Sequence, residues 1–240
     1  KRKFTPEELA ELERQRAEYE QEKIAKQAIA AKQAQRAWEK ATHIDTHPYL
    51  EKKQVASHGL RESAEGRLLI PMLDASLTIV GMQGIDQEGT KKYFPGSKAA
   101  GSFFMIGQDE IRDAHTIYYA EGYATAASVY EDMQQPVIVA FSASNLPKVA
   151  KVIQSYFPQP KHVIMADCDD NDTGEKWAIK AAQVIRAEGS EAEVFMPEEQ
   201  GDYNDMKTEI EGEFLPKVKE VNVPVEYDFE KTEKGRMLNT

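Results

Sequence analysis

Five acidic residues of this chain are candidates for a catalytic or metal-binding role. Each one follows an apolar run or lies in a turn that begins with glycine. They are Glu121, Asp167, Asp169, Asp202 and Asp205. Carboxylates that follow the strands of an open α/β sheet gather at the carboxyl edge, where such sheets bind ligands. Carboxylates gathered there repel one another unless a cation lies among them, and Mg²⁺ and Mn²⁺ prefer oxygen ligands. The cluster therefore predicts metal-assisted chemistry on phosphate.

Asp167 and Asp169 are two residues apart at the end of an extended run, so their side chains are expected on one side and Cys168 on the other. Two carboxylates so placed can share one or two Mg²⁺ ions, which neutralise charge during in-line attack on a phosphate. The competing interpretation is helix capping, since aspartates before a glycine often occupy turns and caps. We prefer capping for Asp170 and Asp172, and metal binding for Asp167 and Asp169.

Glu121 lies at a strand-to-helix turn and precedes Gly122, which permits close backbone approach. A helix-start glutamate favoured by the helix dipole is the structural alternative. We assign Glu121 a functional role because it is expected at the same sheet edge as Asp167. For Asp202 and Asp205, helix capping and a role at this edge both stay open.

Strand-like and helix-like segments alternate in the second half of the chain. The apolar runs are 116–120, 136–141, 162–166 and 192–196, and the helical patterns between them are 125–133, 146–156 and 176–187. That order predicts an α/β domain over residues 111–214, with a parallel four-stranded sheet flanked by helices. Residues 215–240 lack periodicity and are predicted to form a linker or tail.

The first 110 residues divide into two parts. Residues 1–43 are rich in helix formers and begin with a capping-box pattern at Thr5, which predicts a long, charged and solvated linker helix. If this helix docks at all, residues 28–38 are the part expected to do so. A protein or nucleic-acid contact is the other interpretation of this helix. Residues 44–110 predict a small basic α+β subdomain, in which runs 67–72, 77–83, 91–98 and 102–106 pair as antiparallel strands.

Composition narrows the function classes. The chain has 240 residues, no apolar run long enough to span a membrane and no signal-peptide pattern. Cys168 is the only cysteine, which excludes an internal disulfide and a thiolate zinc site and predicts a cytoplasmic protein. Because the first residue is Lys1, we expect a piece of a longer protein.

The net charge is −11, and it arises entirely from residues 111–240, because the first 110 residues carry equal numbers of basic and acidic side chains. This distribution lacks the basic stripe that grips duplex DNA. A sequence-specific binder of duplex DNA is therefore not expected.

Glu121-Gly122 after one strand, Asp167-x-Asp169 after a later strand and the trailing acidic turn 201–205 resemble the pattern of the TOPRIM domain, which bacterial-type primases, type IA and II topoisomerases and some nucleases share. A closer resemblance is carried by three segments: residues 47–50 with 66–72, the turn 121–126, and the ending 201–205. The closer resemblance, over residues 45–212, is to the primase-like TOPRIM proteins of plasmids and phages.

The upstream region also resembles the basic subdomain of replicative primases. That resemblance implies that Arg67 and Lys92 contact nucleotide phosphates and template, and Lys91 and Lys98 lie nearby as further candidates. The alternative for all four is a position on a solvated strand face. One departure stands out: residues 83–85 are Gln-Gly-Ile, where those primases have Gly-Gly-Arg.

The resemblance implies a DNA primase core that makes short RNA primers on single-stranded DNA by Mg²⁺- or Mn²⁺-dependent nucleotidyl transfer. Asp167 and Asp169 would hold metal, Glu121 would act as metal ligand or as acid and base, and Asp202 and Asp205 would add carboxylates. Ribonucleoside triphosphates, a replicative helicase or other domains of the full-length protein are the further partners implied. Two alternatives remain: a TOPRIM phosphodiesterase such as a nuclease, and a non-catalytic interaction module.

Overall fold

The computed structural model describes residues 4–170, 172–209 and 217–224. The chain divides into two compact units. The first contains the residues up to Tyr49 together with Gly59–Ala99, and the second contains Leu50–His58 and the residues from Ala100 onward.

The first unit opens with a 35-residue helix, α1 (Pro6–Lys40). The Thr5 hydroxyl accepts a hydrogen bond from the backbone N–H of Glu8 at 3.2 Å, and the Glu8 carboxylate accepts one from the backbone N–H of Thr5 at 2.9 Å. This reciprocal pair satisfies two of the N–H groups that a helix start leaves without a partner. The predicted helix start is confirmed.

A five-stranded antiparallel sheet completes the first unit, in the order β1-β2-β3-β4-β5. Its strands are β1 (Thr42–His43), β2 (Arg61–Glu62), β3 (Leu68–Leu73), β4 (Ile79–Ile85) and β5 (Lys91–Tyr93). Ala34 of α1 is buried against Leu69 and Met82, and Trp38 packs beside them. The carboxyl end of α1 therefore docks on the sheet, as expected, whereas Leu9 and Ile29 stay about half exposed.

The short helix α2 (Pro48–Lys53) lies where the chain passes from the first unit to the second. The second unit is built on a six-stranded sheet in the order β11-β10-β9-β7-β8-β6. Its strands are β6 (Phe104–Ile106), β7 (Thr116–Ala120), β8 (Val137–Val139), β9 (Lys161–Met165), β10 (Ala192–Pro197) and β11 (Val218–Glu220). The four central strands are parallel, and β6 and β11 pair antiparallel at the two edges. The predicted parallel four-stranded α/β sheet is confirmed.

Among the described residues, four α-helices accompany this sheet: α3 (Tyr123–Met133), α4 (Leu146–Tyr156), α5 (Thr173–Ala187) and α6 (Tyr203–Glu209). The crossover from β7 to β8 and the two crossovers from β8 through β9 to β10 run in opposite directions along the sheet. Right-handed connections therefore place α3 on one face and α4 with α5 on the other. This doubly wound arrangement leaves the carboxyl ends of the parallel strands at one edge.

Two segments differ from the sequence-based expectation. Residues 102–106 were expected in the antiparallel sheet of the first unit, but Phe104–Ile106 pairs with β8 in the second. Within the predicted tail 215–240, Val218–Glu220 pairs with β10. The rest of that tail, apart from residues 217–224, lies outside the described residues, as does Asn171. No helix in the described ranges has the length and apolarity needed to cross a membrane.

Candidate active site

Glu121 follows the last residue of β7 and precedes Gly122, the N-cap of α3. β7 pairs in parallel with β9, and Tyr119 lies opposite Ile164. Glu121 lies two residues after Tyr119, and Asp167 lies three residues after Ile164. Because parallel neighbours end at the same sheet edge, Glu121 and Asp167 leave adjacent strands side by side in the sheet order.

The acidic turn, residues 201–205, joins the same edge through backbone pairing. The N–H of Cys168 donates to the Gly201 carbonyl at 2.9 Å, and the N–H of Gly201 donates to the Cys168 carbonyl at 3.0 Å. Cys168 lies between Asp167 and Asp169, so this two-way bridge brings the turn that carries Asp202 next to that pair. The structure thus gathers all three predicted acidic segments at one sheet edge.

Asp169 binds the first turn of α5. Its Oδ1 accepts from the N–H of Thr173 at 2.7 Å, and its Oδ2 accepts from the N–H of Gly174 at 3.2 Å. Helix capping, the structural alternative to a metal role, is therefore one function of Asp169. Carboxylate oxygens have further lone pairs, so the cap does not use up the capacity of Asp169 to bind a cation.

Gly174 packs against the backbone of Asp167. A Cβ at position 174 would collide with the Asp167 carbonyl group and lie 3.2 Å from the Asp167 nitrogen. The close approach of α5 to the strand end therefore requires glycine. Sequence reasoning identified the glycine as part of a turn, but the approach to Asp167 depends on tertiary packing.

Asp205 forms an ion pair with Lys53, whose Nζ lies 2.7 Å from Asp205 Oδ1. The Asn204 amide donates to the Lys53 carbonyl at 2.7 Å and to the Ser128 hydroxyl at 2.9 Å. Sequence reasoning missed Lys53, because a contact between residues 152 positions apart leaves no local pattern.

A divalent cation fits the donor chemistry of this edge, since carboxylate oxygens are hard ligands of the kind that Mg²⁺ and Mn²⁺ prefer. Across residues 4–170, 172–209 and 217–224, however, no three Asp, Glu, His or Cys side chains are close enough together to form a ready-made metal site. The predicted metal roles of Glu121, Asp167, Asp169, Asp202 and Asp205 stay predictions.

The predicted phosphate-binding residues belong to the first unit, and its sheet register separates them. Lys92 lies opposite Gly84, and the Arg67 side chain passes 3.7 Å from the position of a Cβ on Gly84. Arg67 and Lys92 therefore lie near one another. Lys91 lies on the other face of β5, with its Nζ 6.0 Å from the centre of the Tyr49 ring.

Lys98 lies at the opposite end of β4 from Lys92. Its backbone N–H donates to the carbonyl of Val80, near the start of that strand, whereas Lys92 pairs at Gly84 near its end. Of the four predicted basic residues, the structure brings together Arg67 and Lys92.

Residues 116–210 match the Toprim domain family. The match begins at β7 and ends just after α6, so it spans Glu121, both aspartates after β9 and the acidic turn. Over these residues the chain is similar to a Toprim domain. Toprim domains generally depend on a divalent metal ion, in keeping with the carboxylates gathered at this sheet edge.

Two curated relatives, each a DNA primase TraC from Escherichia coli, resemble the chain in sequence. One is 37% identical over 149 residues, which cover 58% of this chain and 10% of the relative. The other is 33% identical over 162 residues, which cover 63% of this chain and 15% of the relative. The chain therefore spans only a small part of the relatives' length. The predicted resemblance to primase-like TOPRIM proteins is confirmed.

Solved primase structures share the fold. The primase fragment of the bacteriophage T7 primase-helicase protein aligns with a TM-score of 0.57 and 19% identity, covering 72% of this chain and 73% of that fragment. A chain from the bacteriophage T7 complex of lagging-strand DNA polymerase with primase domains bound to an RNA/DNA hybrid and dTTP aligns with a TM-score of 0.50 and 19% identity. That alignment covers 70% of this chain and 85% of the other. At this identity the likeness shows a shared fold alone.

Proposed function

We propose that this chain is the catalytic core of a DNA primase that joins ribonucleotides into short primers on single-stranded DNA with Mg²⁺ or Mn²⁺. The observation that carries the proposal is the parallel pairing of β7 with β9, since it brings Glu121 and the Asp167–Asp169 pair to one edge of a Toprim domain. The sequence similarity to two proteins named DNA primase supports this choice among Toprim activities.

Asp167 and Asp169 are the proposed ligands of the ion, together with a carboxylate of the acidic turn, Asp202 or Asp205. The ion, when bound, neutralises negative charge that develops on the reacting phosphate. Glu121 is the proposed general base, which accepts the proton of the primer 3′-hydroxyl. As that proton leaves, the hydroxyl oxygen forms a bond to the α-phosphorus, and the bond from phosphorus to the pyrophosphate oxygen breaks.

Arg67 and Lys92 are the proposed contacts for nucleotide and template phosphates, with Lys91 and Lys98 as further contacts. Lys91, Lys92 and Lys98 are exposed, so water and nucleic acid can reach their ammonium groups. Arg67 offers a planar guanidinium that can bind a phosphate through two hydrogen bonds. Single-stranded DNA and ribonucleoside triphosphates are therefore the proposed substrates.

A replicative helicase, as a separate protein or as another domain of a longer chain, is the further partner that we propose. The support is the bacteriophage T7 fragment, which shares the fold and comes from a primase-helicase protein. Co-purification of this chain with the replicative helicase of its own replication system would test the partner.

The direct test is incubation with single-stranded DNA, labelled ribonucleotides and Mn²⁺, followed by gel analysis of the products. We expect short labelled products from the wild type and none from Glu121→Gln or Asp169→Ala. Glu188→Gln is the matched control, because Glu188 is an exposed carboxylate at the far end of α5.

The products also separate the rival functions. Degradation of the template, abolished by the same substitutions, would replace the primase by a Toprim nuclease. Mn²⁺ binding without synthesis or degradation would favour a non-catalytic module. Equal synthesis by the wild type and Glu121→Gln would remove Glu121 from the mechanism.

A further inference from the structure

Residues 50–58, named the strap, belong to the second unit although they lie between two segments of the first. The strap contacts the acidic turn at one point through two groups of Lys53. The Lys53 ammonium lies 2.7 Å from Asp205 Oδ1, and the Lys53 carbonyl accepts from the fully buried Asn204 amide at 2.7 Å. Consecutive residues of the turn thus bind the side chain and the backbone of one lysine.

The other end of the strap is fixed to α3. Glu131 Oε1 lies 3.0 Å from His58 Nε2 and accepts from the N–H of Ala56 at 2.8 Å, and the Tyr123 hydroxyl donates to the Ser57 carbonyl at 2.7 Å. Burial acts to raise the pKa of Glu131, but these hydrogen bonds and Lys207 outweigh it and lower that pKa. Glu131 thus holds the strap as a carboxylate. Anchored in this way, Lys53 meets the turn from a fixed position.

Asp205 also caps the helix that follows the turn. α6 begins at Tyr203, so Asp202 is at its N-cap position and Asp205 is three residues further on. Asp202 Oδ1 accepts from the N–H of Asp205 at 3.0 Å, and Asp205 Oδ2 accepts from the N–H of Asp202 at 3.4 Å. The arrangement is that of a capping box with aspartate in both positions.

The two aspartates of the turn therefore differ in what surrounds them. Both oxygens of Asp205 interact with groups of the protein, one with Lys53 and one with the backbone of Asp202. In the part of the chain that the structure describes, the Asp202 carboxylate accepts its hydrogen bond through Oδ1 alone. Asp202 is also the nearer of the two in sequence to Gly201, which pairs with Cys168.

We propose that Lys53 is a positioning residue of the site: it commits Asp205 to anchoring the acidic turn and leaves Asp202 as the carboxylate that the turn offers to the metal. This inference rests on the proposed metal-dependent function. It assigns separate roles to two aspartates that sequence reasoning treated alike. It also assigns a role to Lys53, which that reasoning did not consider.

The test compares Mn²⁺ affinity, measured from the electron paramagnetic resonance signal of free Mn²⁺, across a set of variants. We expect Asp202→Asn to weaken binding, whereas Asp205→Asn, whose amide oxygen can still accept from Lys53, stays close to wild type. Lys53→Met should weaken binding by about tenfold, the size seen when groups that orient metal ligands are removed. Lys53→Arg should restore it, because arginine keeps a cation at Asp205.

Lys52→Met is the matched control, since Lys52 is the exposed neighbour of Lys53 on the same helix. If Lys53 merely competes with the metal as a cation, Lys53→Met tightens Mn²⁺ binding, and the inference is overturned. It is equally overturned if Asp205→Asn loses as much affinity as Asp202→Asn. Thermal unfolding by circular dichroism checks that each variant folds. If Lys53→Met does not fold, the Asp202→Asn and Asp205→Asn pair still decides the assignment.

Failure of the proposed function has a different signature. A wild-type protein that binds Mn²⁺ with this variant pattern but makes no primers overturns the primase proposal and leaves the assignment of Lys53 standing. A wild-type protein that binds no Mn²⁺ overturns both.

Discussion

Cys168 and Gly201 exchange two backbone hydrogen bonds, at 2.9 Å and 3.0 Å, beyond the end of β9. This bridge extends pairing past the regular sheet and brings a turn from after β10 to the Asp167–Asp169 segment. The acidic site is therefore built from backbone pairing as well as from side chains. Its geometry therefore depends also on residues that carry no charge.

Gly174→Ala is expected to destabilise the second unit. Alanine in a helix is ordinarily more favourable than glycine by about 1 kcal/mol, but here its Cβ would collide with the Asp167 carbonyl group. Overpacking of this kind typically costs about 1–3 kcal/mol, so the sign of the usual effect should reverse. Urea denaturation measures the difference.

Gly84→Ala is the control for that substitution, because a Cβ at position 84 makes only ordinary contacts, the nearest at 3.7 Å to Arg67. We expect its free energy of unfolding to stay near that of the wild type. A Gly174→Ala protein more stable than the wild type would show that α5 does not approach Asp167 so closely.

Asp169 caps α5 and is also a proposed metal ligand. Two substitutions distinguish these two functions. Asp169→Asn keeps an oxygen that can accept from Thr173, so its stability should stay near wild type while Mn²⁺-dependent primer synthesis is lost. Asp169→Ala removes the acceptor as well and should cost a further 0.5–2 kcal/mol or so, the usual range for a lost cap. Thermal unfolding and the primer assay report the two effects independently. Full activity in Asp169→Asn would mean that Asp169 is a cap alone.

Much of the second unit followed from the sequence because its signals are local. The predicted bounds of the helix 146–156 and the strand 116–120 match those in the structure. Apolar periodicity and flanking turns define both elements directly in the sequence. The order of these elements then implies a parallel sheet, and a parallel sheet collects Glu121 and Asp167 at one edge.

What the sequence did not reveal depends on partners distant in the chain. The apolar run Phe104–Ile106 predicts a strand, but it does not predict which sheet the strand joins. The same limit applies to Lys53, whose partner Asp205 lies 152 residues away. The strand register also brings Arg67 near Lys92 and leaves Lys91 and Lys98 elsewhere. The sequence could not predict this, because spacing along one strand does not show which side chains meet across strands.

We expect the free energy of unfolding to depend on pH because of His162. It is fully buried, its Nδ1 lies 2.7 Å from the Tyr119 hydroxyl, and its Nε2 lies 3.1 Å from the Phe157 carbonyl. Burial lowers the pKa of His162, partly opposed by the hydrogen bond to Phe157. The folded state then binds fewer protons than the unfolded state below the unfolded pKa of about 6.5. The contribution of neutral His162 to stability is therefore fully present above that pH, and it is lost as the pH falls through the pKa of His162 in the folded state.

Urea denaturation between pH 8 and pH 5 measures this effect, and His162→Gln should flatten the profile over that range. Tyr119→Phe keeps the imidazole, so it should preserve the pH dependence while lowering stability by about 1–3 kcal/mol through the loss of a buried hydrogen-bond partner. Parallel profiles for the wild type and His162→Gln would show that His162 is not the titrating group.

Arg67 and Lys92 should contribute to single-stranded DNA binding through phosphate contacts. Each such contact releases condensed counterions, so removing one lowers the slope of log K against log salt by about 0.7. We expect Arg67→Ala and Lys92→Ala each to weaken binding at low salt and to reduce this slope, with similar effects on different DNA sequences. Fluorescence anisotropy over a salt series measures both quantities. Lys148→Ala removes an exposed charge from α4 in the second unit and should leave the slope unchanged. An Arg67→Ala slope equal to that of the wild type would exclude Arg67 from the phosphate contacts, because a lost ion pair with DNA cannot leave counterion release unaltered.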